Sequence, residues 1–359
     1  MISSLKRGPW LSGIFAAAAI CGVTIPSGDA LAQAGEFKDG ILQPLANGFP
    51  NRPLTIVLAD EAGSREGVWA VNMQSALKEV SPVEVVISYE EGPTFGTWFT
   101  IGDVMNREGG NDGYYLIGMT VPGMTADLVV EPITKETGMT VDDINPVIVT
   151  ETIPYVGVQR KNAPWGKTFA DMVKYAKENP GKVTYISNQV GSGNDIAMEW
   201  VAYELGIKFN KIPAESSGAQ AASMGAGEGD WALTQAPQAL QLVQADKVDV
   251  TFVTGASIPA MWKDNTNIVT AEQVGLPSNP FGIMQGFLVP KTVPDEHREW
   301  LYKLVEAAAA TDTYKEREKT VPGLTIRIMT HDEANEAKLK VLEYVDPVVR
   351  NLGMHIDQQ

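Results

Sequence analysis

Short β-branched runs alternate with amphipathic stretches along most of the chain, and this alternation predicts strands followed by helices. Residues 54–58 (LTIVL) read as a buried strand, 59–65 as a small-residue loop, and a helix follows to about Val80. Its apolar face is expected from Val68, Val71, Met73, Ala76 and Leu77. A second strand is predicted at 83–87, a loop at 91–96 leads into another helix, and Asn111-Asp112-Gly113 turns into a strand at 114–117. The runs 146–151 and 155–159, separated by Thr152-Ile153-Pro154, read as a passage between domains. Thr168 with Asp171 caps a helix that Asn179-Pro180-Gly181 ends.

Residues 182–206 repeat the unit. Val183, Tyr185 and Ile186 form the strand and Ser187-Asn188-Gln189 leave it. After the glycine-rich loop, Ile196, Ala197, Trp200, Val201 and Leu205 recur at helical spacing until Gly206. A loop of hydroxyls and free amides at the positive end of a helix suits a carboxylate or phosphate, and a plain strand-to-helix turn has the same pattern. Further on, 215–218 form another loop before a helix, and 249–253 and 283–289 read as strands. Helices are predicted at 295–310 and from the Thr330/Glu333 capping box to Leu352-Gly353. Strands alternating with helices argue for parallel sheets, whose ligands sit beyond the carboxyl ends of the strands.

The N-terminus changes this picture. Lys6 and Arg7 precede an apolar run too short to span a bilayer, and Ala32 and Ala34 suggest cleavage before Gly35, so residues 1–34 read as a secretory signal peptide. The single cysteine, Cys21, lies inside that segment, which leaves the mature chain without thiol chemistry or disulfides. The formal charge of −16 falls to −17 when Lys6, Arg7 and Asp29 are removed. With no basic cluster to outweigh that field, nucleic-acid binding is excluded. The length and a hydrophobic content of 44% suit two folded domains.

No complete catalytic set emerges. His297, His331 and His355 match no metal-ligand spacing and are expected to be solvated; no cofactor or metal is implied. Ser223, in Ala221-Ala222-Ser223-Met224-Gly225, resembles a nucleophile elbow but lies within an apparent helix. Asp60, Glu61 and Glu66 would suit acid/base work, against the plainer reading of solvated or Arg65-paired charges.

The run Ala176-Lys177-Glu178-Asn179-Pro180-Gly181-Lys182, followed by Tyr185, Ser187, Gly191 and Ser192, resembles the extracytoplasmic solute receptors of tripartite tricarboxylate transporters, the Bug-type family. Pro53 to Ile56 with Gly63, Asp112-Gly113-Tyr114, Pro237 and residues 272–277 fall in the family's order, so the resemblance covers nearly the whole mature chain. It implies an α/β, type II-like two-domain periplasmic binding protein: two mixed sheets flanked by helices, with a hinge between. Domain 1 would comprise 35–152 and 256–359, domain 2 residues 153–255, and the hinge the strands near 146–159 and 249–259. It also implies a monomer that captures a small organic acid, a carboxylate or an aromatic one, and hands it to a membrane permease.

Glu61, Ala62, Gly63, Ser64, Arg65, Thr94 and Phe95 would face the ligand from one domain. Ser187, Asn188, Gln189, Gly191, Ser192, Thr234 and Gln235 would face it from the other. The sequence departs from the family at Val71, where an arginine is usual, at Thr94-Phe95, where paired glycines are common, and at Thr234, which replaces a frequent aspartate. These departures argue against a simple tricarboxylate. Phe95, Trp98 and Trp69 either line an aromatic ligand or pack in the core. A secreted hydrolase on a similar fold, and a receptor presenting its ligand to a sensor, are the alternatives.

Overall fold

The computed structural model describes residues 35–90, 96–188, 192–277 and 281–358. The expected signal peptide lies outside them. A short hairpin of β1 (Phe37–Lys38) and β2 (Ile41–Leu42) opens the described chain. There follow β3 (Leu54–Leu58), α1 (Arg65–Val80), β4 (Val85–Tyr89), α2 (Gly96–Met105), β5 (Tyr115–Thr120), α3 (Val121–Val130), α4 (Ile133–Thr137) and β6 (Pro146–Ile153). Next come β7 (Tyr155–Arg160), α5 (Phe169–Glu178), β8 (Val183–Asn188), α6 (Gly193–Leu205), β9 (Phe209–Ala214) and α7 (Ser217–Ala226). They are followed by β10 (Trp231–Gln235), α8 (Ala236–Gln244), β11 (Val248–Val253) and β12 (Val269–Thr270). The chain ends with β13 (Ile283–Leu288), α9 (Asp295–Ala309), α10 (Asp312–Lys315), α11 (Arg317–Thr320), β14 (Thr325–Met329) and α12 (His331–Asn351).

The larger strands form two sheets of six, in the orders β14-β6-β13-β5-β3-β4 and β12-β11-β7-β10-β8-β9. Each holds three neighbouring parallel strands made by strand-helix units, β4, β3 and β5 in one and β9, β8 and β10 in the other. Both are mixed rather than parallel, because β13 and β7 insert antiparallel beside β5 and β10. The chain passes from the first sheet to the second at Pro154. Since β12 pairs with β11, it returns only after Thr270. Tyr155 N–H donates to Thr254 Oγ1 and Thr254 N–H to the Tyr155 carbonyl, both at 3.0 Å, which stitches the first crossing to the end of β11.

The capping boxes of α5 and α12 form as the sequence predicts. On α1 the apolar face differs. Val68 and Val71 point outward, 49% and 47% exposed, while Trp69, Ala70, Met73, Ala76 and Leu77 are buried. The reason is the direction of approach: α9 and α10 pack on α1 from the side that carries Trp69 and Met73. The histidines are also not solvated. His355 is buried, His297 stacks on Phe49 at 3.9 Å between ring centres, and His331 donates to the Pro146 carbonyl at 2.6 Å. Helix α12 packs on α3 and on α6, with Tyr344 near Trp200, so its apolar side is shared by both halves.

A charged network sits behind the first sheet. Glu151 on β6 is fully buried and receives Arg317 through two hydrogen bonds of 2.8 Å, and Tyr314 donates to it at 2.8 Å. The Tyr314 hydroxyl in turn accepts from Trp69 Nε1 on α1 at 2.9 Å and meets Thr150 Oγ1 at 2.9 Å. One half also touches the other through a bare backbone. Gly323, at φ +77°, lies so close to Ala236 at the start of α8 that a Cβ on it would stand 2.6 Å from the alanine methyl. Removing one member of a buried ion pair strands the other in a poorly solvating interior, a loss of about 3–5 kcal/mol. Arg317→Met is therefore expected to lower the unfolding free energy by that amount in urea titration. The double variant Glu151→Gln/Arg317→Met should recover part of the loss, because no charge is left stranded.

Candidate functional site

The carboxyl ends of the parallel strands feed directly into helix N-termini in both halves: β3 into α1, β5 into α3, β8 into α6 and β10 into α8. On the first half, Ser64 caps α1, its hydroxyl accepting from Gly67 N–H at 2.9 Å. Position 67 has to be glycine, since a Cβ would meet the carbonyl oxygens of Glu61 and Ala62 at 2.5 Å. This tight wrap leaves Glu61, Ala62 and Gly63 facing solvent and turns Arg65 inward. Arg65 donates through Nη1 to Gln285 Oε1 at 2.9 Å and through Nη2 to Thr120 Oγ1 at 3.5 Å, and it pairs with Glu66.

On the second half, Ser192 caps α6. Its hydroxyl donates to the Asn188 carbonyl at 2.6 Å and accepts from Asp195 N–H at 3.3 Å, so both of its roles are filled by the helix start. Asn188 donates to Ser217 at 2.9 Å. The Ser187 and Thr234 hydroxyls are buried and meet no hydrogen-bond partner among the described residues. Gln235, half-buried, opens α8. Thr94, Phe95, Gln189 and Gly191 lie outside the described residues. The structure settles the aromatic alternatives for two residues: Trp69 and Trp98 are fully buried in the core and line nothing open. Ser223 lies within α7, with no strand-turn-helix elbow around it.

Three residues the sequence did not single out connect these pieces. Tyr155, buried just past the Pro154 crossing, lies within 4.0 Å of where a Gly193 Cβ would project from α6, and its hydroxyl is electrostatically coupled to Arg65 and Glu66 on α1. Burial above all, with Glu66 adding and Arg65 opposing, pushes its pKa up to about 12, so it remains a neutral phenol. Gln285 and Asp127 belong to a cavity of about 190 Å³ at the ends of β3 and β5, which Asp60, Glu66, Thr97 and Thr120 also line. Burial holds the Glu66 carboxyl above the usual range. Arg65 counters this and the neighbouring Asp60 carboxyl adds to it. Burial likewise raises Asp127 to about 7. The Trp98 indole N–H facing it works the other way, and Glu131 adds to the rise. A tyrosine next to a crossing proline was the one available signal for this set; Gln285 and Asp127 reach the cavity only through sheet pairing and helix packing.

Among the described residues no helix is long and apolar enough to cross a membrane, and no group of His, Cys, Asp or Glu is placed to hold a metal ion. Two α/β halves with helix N-termini at their strand ends, and a polar cavity at those of the first, define a solute-binding protein. A model described as "Tripartite tricarboxylate transporter family receptor" (TctC) matches residues 73–338. A UPF0065 protein of Bordetella pertussis is 23% identical over 271 residues, 76% of this chain and 80% of its own. Among solved structures, a TctC solute binding protein from Polaromonas matches with a TM-score of 0.71 at 18% identity, covering 84% of this chain and 99% of that one. A protein of R. palustris solved with adipate matches with a TM-score of 0.64 at 20% identity, covering 85% and 98%. The chain belongs to the tripartite tricarboxylate transporter receptor family, whose members are periplasmic binding proteins, and it is a solute receptor rather than an enzyme.

The raised Asp127 carboxyl makes stability depend on pH. Its native pKa of about 7 exceeds the ordinary 3.8, so the native state holds a proton that the unfolded chain has lost between those values. Stability therefore falls as pH rises from about 4 to about 7 on account of this group, and the deficit is complete above that range. Thermal melts across pH 4–8 should show Asp127→Asn with a flatter decline than the parent; parallel curves would count against the burial of this carboxyl.

Proposed function

We propose that the chain is exported by cleavage of residues 1–34 and acts in the periplasm as a monomer that captures a small organic acid and delivers it to the membrane permease of a tripartite tricarboxylate transporter. The observation that carries this reading is Tyr155 between two helix starts, α1 with Arg65 and α6 with the positive end of its dipole, a placement that suits an anion gripped from both halves. The adipate bound by the R. palustris neighbour agrees with a carboxylate ligand. Arg65, Tyr155, Ser187 and the first amides of α6 meet the carboxylate in this reading. Ser192 positions α6 through its cap, and Thr234 and Gln235 add to the enclosure. The two sheets correspond to the two domains, hinged at Pro154 and at the return after Thr270, and closure turns them about these crossings.

Calorimetry with the purified mature chain and a panel of small mono- and dicarboxylates tests the capture step, with mass spectrometry of small molecules released on denaturation to extend the panel. Arg65→Lys keeps the charge and loses the planar fork that holds Gln285 and a carboxylate together, so affinity should fall about ten- to a hundred-fold. Unchanged affinity in both Arg65→Lys and Ser187→Ala would remove these side chains from the site. Small-angle scattering should show a smaller radius of gyration with the bound acid. An equal radius with and without it would argue against closure.

A further inference from the structure

The order of the strands places a second cavity behind the hinge. In each sheet the two strands that carry the crossings are neighbours, β6 with β13 and β11 with β7. On one side of these pairs lie β5, β3 and β4 in the first half and β10, β8 and β9 in the second, the side that carries the candidate ligand groups. On the other side each sheet has a single strand, β14 or β12. There a cavity of about 580 Å³ opens, and among the described candidate ligand residues none lines it. The first half supplies Met284, Arg327 and Met329 from its sheet and Ala337, Val341 and Tyr344 from α12. Thr152 stands beside the first crossing, and Ala256, Glu272 and Pro277 come from the return segment between β11 and β13. The charged rim asks for no ligand: Lys340 pairs with Glu336 at 2.6 Å, Glu333 is held by the α12 capping box and feels the Arg327 charge, and Glu272 is exposed. Beneath it Met284, Met329 and Val341 form a buried apolar floor. A space walled from both sides of a hinge changes volume when the hinge turns, and turning the front inward about the crossings draws the back apart.

We propose that this cavity is the counter-gap of the hinge: it widens as the front closes, so bulk added inside it props the back open, shuts the front and raises the affinity for the captured acid. This rests on the reading of two halves that close about Pro154 and the return segment, and it adds the place from which that closure is biased without any contact to the ligand. A side chain that fits the cavity only in its wider state stabilises the closed form before a ligand arrives, and the fraction of molecules competent to hold the acid rises. With a closed population of about 1–10% in the free protein, the gain in affinity is limited to about ten- to a hundred-fold. Two alanines stand on different walls, half-buried Ala337 on α12 and exposed Ala256 on the return segment, so a larger side chain at either enters the gap without displacing a core residue.

The test uses the purified mature chain, which contains no cysteine once residues 1–34 are removed, so spin labels on Tyr89→Cys and Glu215→Cys attach at those two positions only. Both are exposed; one ends β4 and the other follows β9, the edge strands farthest from the hinge, so the dipolar coupling between the labels reads the width of the front. Without any acid, Ala337→Trp and Ala256→Trp should each shorten this distance, Ala337→Leu should shorten it less, and Ala337→Ser should leave it unchanged. Calorimetry with adipate as the probe should show the tryptophan variants binding more tightly than the parent, within the limit above, and the distance decides by itself if adipate does not bind. A thermal melt of each variant controls for folding, and the leucine variant carries the test where tryptophan is not tolerated. An unchanged or longer distance in the folded variants overturns the inference. If a bound acid shortens the distance in the parent while the variants do not move it, the receptor reading stands without the counter-gap; a distance that no variant and no acid alters overturns both.

Discussion

The pairing of Glu151 with Arg317 is the constraint around which the first half is arranged. Two charges taken out of water are tolerated here because both oxygens of the carboxylate are engaged, by the guanidinium through two bonds and by the Tyr314 hydroxyl. The hydroxyl passes the restraint on to Trp69, and thereby to α1, the helix whose first residue is Arg65. On the other side of the strand, Glu151 stands opposite Gln285 in the β6–β13 register, and Gln285 is the residue that receives Arg65. The side chain that turns into the site is thus fixed from both ends by one buried ion pair. Because β6 runs on to Pro154, the same strand carries the crossing to the second half.

The second half is organised by neutral polar groups rather than by a buried guanidinium pair. Gln220 donates to the carbonyls of Ile186 and Leu233 and to Asn194, and Asn194 donates to Leu233, which locks α6 and α7 onto the ends of β8 and β10. Lys211 reaches the buried Asp195 at 2.6 Å and fixes the first turn of α6 from below. A helix start held this way keeps its amide donors oriented, since their geometry does not depend on flexible side chains. The two halves therefore present different electrostatics. One offers carboxyls with a shared arginine, the other a helix terminus and hydroxyls.

Much of this was legible because local signals are strong where the chain punctuates itself. Leu54–Leu58 and Asp295–Ala309 follow the runs read from hydrophobicity closely, both capping boxes form, and Gly206 takes the left-handed conformation expected of a helix stop. The short strands at 85–89 and 115–120 shift by a residue or more, since a β-branched run fixes a strand but not its register with neighbours. What stayed hidden depends on contacts far apart in the chain. Val68 and Val71 looked like core until α9 and α10 took the other face of α1. Trp69 and Trp98 fitted a ligand or a core equally well by composition. The Glu151–Arg317 pair spans 166 positions, and Gln285 and Asp127 carry no motif that marks them as cavity residues. The histidines failed as solvated positions because each found a ring, a carbonyl or a carboxylate brought by another element.

The contact at Gly323 has a mechanical meaning. There a turn of the first half rests on the first residue of α8 with only a hydrogen where a side chain would be, and the partner it meets is a single methyl. A backbone laid against a methyl offers no bond to break and no side chain to fold aside, so it resists compression while permitting departure. It works as a gauge stop: how near this turn can come to α8 is set by the thickness of one CH₃ group.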